Sequence, residues 1–253
     1  MKICIVIPVY NEAANVRIVL AEITSTLHQF KSHDYRIILA NDASTDDTAL
    51  QIQNYINENG LNGLIHLFEN KENIGTAPTM RNLFKMAVDL RAEMVIKLDM
   101  DRDFSQGEVL EKFLSNIASD KATRDRRVLA GIRTLPKGKA MTFYERVHRK
   151  IMDEFLQKTL AVHNYDPVSA GTQMYPIGLL KELLEEKVVR TFDLRWGMDV
   201  LLSMLAKRKG YELITIPILR TKYDRDRRAD KKVKLQYEAF YKVFEGVYLQ
   251  TQA

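Results

Sequence analysis

Three aspartates stand at alternate positions after an apolar run in the segment VIKLDMDRD, which spans residues 95–103. They are Asp99, Asp101 and Asp103. Crowded carboxylates repel one another, and hard divalent cations such as Mg²⁺ or Mn²⁺ bind carboxylate oxygens together with water and substrate phosphates. The pattern therefore predicts a Mg²⁺ or Mn²⁺ site that engages a nucleotide diphosphate. An isolated D-x-D without supporting motifs would be a solvated acidic turn.

Apolar runs of strand length alternate with stretches of helical period along the chain. The runs are Ile3 to Val9, Arg36 to Ala40, Leu64 to Phe68 and Met94 to Leu98, and later candidates are Arg127 to Ile132 and Leu213 to Leu219. Such alternation is typical of repeated βα units and a mainly parallel sheet. We therefore predict an α/β fold, in which ligands bind beyond the carboxyl ends of the strands.

Polar loops follow three of these strands at what should be one sheet edge. They are Tyr10-Asn11-Glu12, Asn41-Asp42-Ala43-Ser44 and Asp99 to Asp103. We expect Asn11 to cap a first helix with a core face of Val16, Val19, Leu20, Ile23, Leu27 and Phe30. Ser44 and Asp47 are spaced as in a capping box that starts a second helix, which ends near Asn59-Gly60. The loop before this helix should point Asp42 outward.

The composition describes an ordinary globular chain. Its 253 residues are 46% hydrophobic and 28% charged, without a linker-like segment, so we expect a single domain over residues 1–253. No apolar run approaches the roughly 18 residues of a membrane span, and residue 1 leads directly into a strand instead of a signal peptide, so we expect a cytoplasmic location. The one cysteine, Cys4, lies in an apolar run and is interpreted as a buried structural thiol.

Positive charge is concentrated towards the carboxyl end. The net charge is +5, and the segment from Lys207 to Lys234 holds eleven Lys or Arg against four Asp or Glu, a local net charge of +7. This segment predicts an anionic partner. It has few interleaved aromatic residues and no nucleic-acid-binding signature, so nucleic acid is not expected. Diphosphate, lipid phosphate and an anionic membrane surface all fit.

A helical spacing of apolar residues predicts an amphipathic helix over residues 235–253. The apolar residues are Tyr237, Phe240, Val243, Phe244, Val247 and Tyr248. One interpretation is that this helix packs on the core. The other is that it joins the basic segment in a peripheral contact with an anionic membrane.

Taken together, the ordered motifs resemble the family 2 glycosyltransferases of GT-A fold. "IVIPVYNEAANV" looks like their opening strand and loop, "ILANDASTDDT" their second strand, and "VIKLDMDRD" their metal-binding D-x-D. The likeness continues through "NIGTAPTMRN", "LAGIRTLP", "AGTQMYPIGLL" and "WGMDVLLSMLAKRKGYELITIPIL". Within the family, the later motifs are similar to the polyprenyl-phosphate sugar synthases. The resemblance implies a Rossmann-like α/β/α sandwich with a nucleotide-sugar half over 1–105 and an acceptor half over 106–234.

The resemblance implies roles for individual residues. The residues that would bind the nucleotide-sugar donor are Pro8, Tyr10, Asn11, Glu12, Asp42, Asn73, Gly75, Arg81 and Asp99. Tyr10 would stack on the base, while Glu12 and Asp42 would accept hydrogen bonds from the ribose or the base edge. Asp99 and Asp101 would hold the metal, with Asp103 where the lipid-linked enzymes place a Gln. Asn73 and Gly75 read by themselves as a turn, and Arg81 as a surface charge.

The expected reaction is an inverting sugar transfer in which Asp101, Arg133 and Asp199 act. Asp199 would serve as general base toward a hydroxyl acceptor, or otherwise as a first-turn helix carboxylate. Arg133, after Gly131, could clamp phosphate. The expected acceptor is a polyprenyl (dolichyl-type) phosphate. Such an acceptor would need little proton removal and more positive charge, which Arg220, Lys222 and Arg225 could supply.

Three rival functions stay open at this point. One is transfer to a sugar hydroxyl of a polysaccharide or glycolipid. Another is a non-catalytic nucleotide-sugar-binding module, against which Asp99 and Asp101 argue. A nucleotidyltransferase would be expected to carry a Gly-rich basic loop after its first strand, where this chain has Tyr10-Asn11-Glu12. The choice between GDP and UDP, the sugar and the oligomeric state also stay open.

Overall fold

The computed structural model describes residues 1–134, 146–147, 150–151, 153–154, 157, 171–192, 197–220, 238, 241–243 and 245, with Arg133 described by its backbone alone. Within these residues the chain forms a seven-stranded sheet. Its strands are β1 (Lys2–Val9), β2 (Asp34–Asn41), β3 (Ile65–Glu69), β4 (Met94–Lys97), β5 (Arg127–Thr134), β6 (Gln173–Pro176) and β7 (Glu212–Leu219).

The sheet is mainly parallel, which confirms the prediction. The strand order is β3-β2-β1-β4-β6-β5-β7, and β6 alone among these strands runs antiparallel to its neighbours β4 and β5. The chain leaves β1 for β2 and β3 on one side and then returns to place β4 on the other side. The carboxyl ends of β1 and β4 therefore form a topological switch point, where open α/β sheets bind ligands.

Helices cover both faces of the sheet. Those described over their full length are α1 (Ala13–Gln29), α2 (Thr48–Glu58), α3 (Thr76–Asp89), α4 (Gln106–Ser115), α5 (Lys121–Arg124), α6 (Ile177–Glu185), α7 (Lys187–Arg190) and α8 (Met198–Arg208). Alternate strand residues face opposite sides. Ile3, Ile5 and Ile7 therefore pack with α1, α2 and α4, whereas Cys4 and Val6 pack with α3, α6 and α8. The arrangement is the predicted α/β/α sandwich.

The start of α1 differs from the prediction. Glu12 occupies the N-cap position without a side-chain cap. Asn11 has a left-handed φ of 55°, and its Oδ1 accepts a hydrogen bond from the Thr45 backbone N–H at 2.8 Å. Asn11 therefore joins the loop after β1 to the loop after β2 instead of capping the helix. Phe30 follows α1 and is partly buried, whereas the other predicted core residues of this helix are buried.

The predicted capping box of α2 is also wrong. The helix begins at Thr48, and its N-cap residue, Asp47, makes no side-chain cap hydrogen bond. The Ser44 hydroxyl accepts instead from the Asn11 backbone N–H at 2.9 Å, and an Asp46 carboxylate oxygen accepts from the Thr48 N–H at 3.0 Å. Ser44 therefore serves the contact between the two loops, while Asp46 binds the first residue of the helix. The end of α2 at Glu58 agrees with the prediction.

The carboxyl-terminal segments are described in part. Residues 146–147, 150–151, 153–154 and 157 are helical, within the range predicted for a basic helix. In the final helix, Val243 is buried and Tyr241 packs against the core beside α3, α6 and α8. The other predicted apolar residues, Tyr237, Phe240, Phe244, Val247 and Tyr248, lie outside the described residues.

The structure also bears on the predictions for Cys4 and for a membrane span. Cys4 is buried in β1, and burial raises the pKa of its thiol to about 12, which disfavours a nucleophilic thiolate. Across the described part of the chain, every helix is too short or too polar to cross a lipid bilayer.

Candidate active site

The loops after β1, β2 and β4 lie at one edge of the sheet. Val9 at the end of β1 pairs with Asn41 at the end of β2. β4 ends earlier, because Lys97 pairs with Val6 and the Leu98 backbone N–H still donates to the Val6 carbonyl at 3.1 Å. The chain then enters the aspartate loop directly beside the end of β1. Asp99 and Asp101 are therefore carried to the switch point of the sheet.

Each of the three aspartates has a different neighbour. Asp99 accepts a hydrogen bond through Oδ1 from the Lys97 ammonium at 2.6 Å. Asp101 accepts through Oδ1 from the Asp103 backbone N–H at 3.3 Å. The Asp103 carboxylate forms an ion pair with Arg220, with Oδ2 at 3.2 Å from Nη2. Among the described residues, no three His, Cys, Asp or Glu side chains are grouped closely enough to hold a metal ion by themselves.

The backbone of Gly171 lies close to the carboxylate of Asp99. A Cβ atom at Gly171 would lie 2.7 Å from Asp99 Oδ2 and 3.6 Å from Lys97 Nζ, so any larger residue would displace the carboxylate. The backbone therefore forms a tight cradle around this side chain. Carboxylate oxygens are the donors that Mg²⁺ and Mn²⁺ prefer, and these ions commonly complete their coordination with water and substrate phosphates. Asp99 and Asp101 fit such an ion.

Lys97 is a buried charge next to this cluster. Its side chain is 2% exposed, and it lies opposite Gln173 of β6. Burial disfavours the ammonium, but the carboxylates of Asp199, Asp99 and Asp101 outweigh burial and raise the pKa of Lys97 above its ordinary value. A positive charge is therefore built into the base of the carboxylate site.

Asp199 enters the same region from the first turn of α8. Gly197, with a φ of 99°, precedes the helix, and Gln173 Nε2 donates to the Asp199 carbonyl at 3.3 Å and to Ser203 Oγ at 2.9 Å. The Oδ1 atom of Asp199 is shielded from solvent and has no hydrogen-bond partner among the described residues. Burial raises the pKa of Asp199 to about 7, with Lys97 opposing and Asp99 adding to this shift. A carboxylate with a pKa near neutrality is suited to accept a proton.

The loop after β1 presents an aromatic ring at the sheet edge. Tyr10 is 45% exposed, whereas Pro8 and Glu12 are partly buried. The Glu12 backbone N–H donates to Thr48 Oγ1 at 2.8 Å, and its carboxylate accepts from the Asn15 amide. The sequence-predicted residues Pro8, Tyr10, Asn11 and Glu12 are thus brought to the same edge as Asp99, with Tyr10 open to solvent.

The prediction that Asp42 points outward is wrong. Asp42 is 4% exposed, and its carboxylate accepts from Asn70 Nδ2 at 2.8 Å and from the backbone N–H groups of Ile74 and Gly75 at 3.0 and 2.8 Å. Asn73 Nδ2 donates to the Asp42 carbonyl at 3.2 Å. These hydrogen bonds compensate for the burial of the carboxylate. Through them, Asp42 holds the loop before α3 in place at the sheet edge.

Of the predicted basic residues, Arg220 contacts the aspartate loop through its ion pair with Asp103, whereas Arg81 binds elsewhere. Arg81 donates through Nη1 to the carbonyls of Val189, Arg190 and Phe192, at 3.3, 2.9 and 3.3 Å, and so ties α3 to the end of α7. The backbone of Arg133 lies in β5 opposite Ile218. Its side chain, together with Lys222 and Arg225, lies outside the described residues.

Sequence reasoning missed Lys97, Gly171 and Gln173. A signal was present for Lys97, because a lysine inside an apolar strand run is almost never buried without a charged partner. Gly171 and Gln173 lie in the quoted motif AGTQMYPIGLL, but no role was predicted for them, because that role depends on the position of β6 between β4 and β5.

The chain matches a known protein family by sequence and several solved structures by fold. The model of the family described as "Glycosyl transferase family 2" matches residues 4–183. No curated protein sequence matches the chain significantly.

Solved structures share the fold at low sequence identity. Mannosyl-3-phosphoglycerate synthase from Rubrobacter xylanophilus is 13% identical, with a TM-score of 0.68 over 100% of this chain and 75% of that chain. Mannosyltransferase PcManGT from Pyrobaculum calidifontis, in complex with GDP-Man and Mn²⁺, is 16% identical, with a TM-score of 0.62 over 99% of this chain and 75% of that chain. Glucosyl-3-phosphoglycerate synthase from Mycobacterium tuberculosis, in complex with Mn²⁺, UDP and phosphoglyceric acid, is 13% identical, with a TM-score of 0.64 over 96% and 78% of the two chains.

Proposed function

The chain belongs to glycosyl transferase family 2, and we propose that it transfers a sugar, with inversion, from a nucleoside-diphosphate sugar to an acceptor oxygen beside Asp199. The observation that carries this proposal is the meeting of Asp99, Asp101 and Asp199 at the switch point of the sheet. Asp99 and Asp101 follow β4, and the pKa of Asp199 reflects the charges of both Lys97 and Asp99.

The donor would lie across the ends of β1 and β2. Tyr10 offers an exposed ring on which a base can stack, and Glu12 offers a carboxylate for ribose hydroxyls. The loop that Asp42 organises, with Asn73 and Gly75, would close the other side. The GDP-Man and UDP complexes of structures with this fold support a nucleotide donor here.

Asp99 and Asp101 would hold Mn²⁺ or Mg²⁺, with Asp103 as a weaker candidate because it pairs with Arg220. When bound, such an ion neutralises the charge that develops on the leaving diphosphate. Mn²⁺ in the Pyrobaculum and Mycobacterium structures supports this assignment. Gly171 would keep the Asp99 carboxylate in place.

Asp199 would act as general base. As an acceptor hydroxyl oxygen forms its bond to the anomeric carbon, the bond from that carbon to the diphosphate oxygen breaks, and the hydroxyl proton passes to the Asp199 carboxylate. The shielded Oδ1 atom and the pKa of about 7 suit this step. A hydroxyl acceptor is therefore the chemistry that the geometry supports best.

A polyprenyl phosphate acceptor is the second candidate. The basic segment from Lys207 to Lys234 favours an acceptor that carries phosphate. A phosphate-bearing small molecule with a hydroxyl, such as phosphoglyceric acid, satisfies both observations and is supported by the Mycobacterium complex. The narrower resemblance to polyprenyl-phosphate sugar synthases stays a prediction.

The test is release of nucleoside diphosphate from GDP-mannose and UDP-glucose with Mn²⁺ and three acceptors. These are a short-chain polyprenyl phosphate, 3-phosphoglycerate, and glycerate as the control without phosphate. We expect Mn²⁺-dependent release with one donor and a preference for a phosphate-bearing acceptor. If neither donor binds or turns over in the presence of Mn²⁺, the proposed function is wrong. Transfer to the polyprenyl phosphate alone would establish the second candidate.

A further inference from the structure

Lys97 occupies a position where a strand residue of this sheet would normally be apolar. It ends the run from Met94 to Lys97, in which every residue is buried, and its side chain is 2% exposed. Alternation along β4 places Lys97 on the same face as Val95, which packs with α3, α6 and α8. An ammonium in such surroundings is costly to bury unless carboxylates compensate for it.

Carboxylates surround this ammonium from separate elements. Asp99, on the loop after β4, accepts its hydrogen bond at 2.6 Å. Asp199, on α8, and Asp101 act on it electrostatically. On the neighbouring strand, Gln173 lies opposite Lys97 and binds the first turns of α8 through the Asp199 carbonyl and Ser203. The lysine therefore bonds to the loop that carries the aspartates and is attracted by the carboxylate of the helix that carries the general base.

We infer that Lys97 serves as the internal counter-cation of this site, because its ammonium binds Asp99 and balances the carboxylates when no divalent cation is bound. The inference rests on the proposed function, in which Asp99 and Asp101 bind the metal. The ammonium stabilises the site when no metal is bound. Because the ammonium and a divalent cation repel each other, it also lowers the affinity of the site for that cation.

Replacing Lys97 by Met tests this consequence, because Met keeps an unbranched apolar chain of similar length and removes the charge. Without the ammonium, the three carboxylates repel one another, so the variant should unfold at a lower temperature than the wild type in EDTA. Mn²⁺ should then raise the melting temperature of Lys97→Met by more than it raises that of the wild type. Repulsion between a monovalent and a divalent cation at close range corresponds to about tenfold or more in affinity even at the dielectric constant of water. We therefore expect the Mn²⁺ dissociation constant, measured by the EPR signal of free Mn²⁺, to fall about tenfold.

Two further variants make the result decisive. Lys121→Met removes the same charge from an exposed side chain on α5 and should leave Mn²⁺ binding unchanged. If Lys97→Met does not fold, the comparison is made between Asp199→Asn and the double variant Lys97→Met/Asp199→Asn, because loss of one carboxylate offsets loss of the ammonium. The double variant should bind Mn²⁺ more tightly than the single one.

Equal or weaker Mn²⁺ binding after removal of Lys97, in either pair, would overturn the inference and leave the metal assignment intact. Absence of Mn²⁺ binding by the wild type and all variants would instead overturn the metal assignment in the proposed function, and the inference with it.

Discussion

Asp199 and Lys97 show how a single residue acquires its chemistry from the surroundings. Both side chains are buried, and burial opposes both charges; attraction to the carboxylates outweighs burial for Lys97, whereas burial outweighs attraction to Lys97 for Asp199. The balance raises the pKa of both groups, so the lysine stays charged and the pKa of the aspartate lies at about 7. This is the condition under which a carboxylate can both accept and release a proton during turnover.

Replacing Asp199 by Asn should lower the rate of transfer to a hydroxyl acceptor by about 10²- to 10⁴-fold, the usual contribution of a general base. The wild-type rate should rise with pH through about 7, because only the deprotonated carboxylate accepts the proton. In the Asn variant this inflection should be absent. The measurement is a pH profile of kcat with saturating donor. Unchanged kcat in the variant would favour an acceptor that attacks through an ionised phosphate.

The glycine at position 171 makes a second residue-level test possible. Gly171→Ala should weaken Mn²⁺ binding and turnover, because the new Cβ would lie 2.7 Å from Asp99 Oδ2 and displace the carboxylate. Gly178→Ala is the matched control, since its Cβ would meet nothing within 4 Å and alanine favours the helix. Titration with Mn²⁺ followed by EPR compares the two. Equal Mn²⁺ affinity for both variants would mean that Asp99 does not ligate the metal.

At the scale of elements, Asp42 connects the end of β2 to the loop before α3. Asp42→Asn replaces one acceptor oxygen by an amide that faces buried N–H donors, so it should lower the free energy of unfolding by about 1–3 kcal/mol. Donor affinity should fall with it, because the loop from Asn70 to Gly75 loses its anchor. Asp34→Asn, on the exposed start of the same strand, is the control. Urea unfolding and donor titration measure both effects. Lost donor affinity with unchanged stability would show that Asp42 contacts the nucleotide directly.

Most strands and the first two helices could be predicted from the sequence, because each is encoded locally by apolar spacing. The sheet edge that carries Tyr10, Asp42 and Asp99 followed from the same pattern. Predictions from the local sequence failed for polar groups whose hydrogen-bond partners lie far along the chain. Asn11 and Ser44 read as helix caps but bind each other's loops, and Asp42 reads as exposed but binds a loop some thirty residues later. The antiparallel strand β6, which lies between β4 and β5, was missed as well, and with it the environment of Lys97.

At the scale of the whole molecule, the charge distribution and the final helix bear on location. Val243 and Tyr241 pack on the core, which favours a structural role for the described part of this helix. The basic segment still predicts attraction to anionic surfaces.

Co-sedimentation with anionic vesicles at low salt tests that attraction. If the segment binds membranes, replacing Arg225, Arg227 and Arg228 by Ser should weaken binding about 100-fold, at roughly 1 kcal/mol for each basic residue. Replacing the exposed residues Lys31, Lys71 and Lys85 by Ser removes the same charge elsewhere and should have a smaller effect. Neutral vesicles should not bind. Equal loss in both triple variants would mean that net charge, not the segment, governs the contact.

The central claim is that Asp99 and Asp101 support sugar transfer from a nucleotide donor through a bound divalent cation. The most direct measurement is Mn²⁺-dependent release of nucleoside diphosphate by the wild type and by Asp101→Asn at limiting Mn²⁺, with Asp34→Asn as control. We predict a loss of about 10²-fold or more for Asp101→Asn, of the order found when a group that stabilises transition-state charge is removed. Asp34→Asn should keep the wild-type rate. Wild-type turnover by Asp101→Asn at limiting Mn²⁺, with the fold intact, would contradict the account.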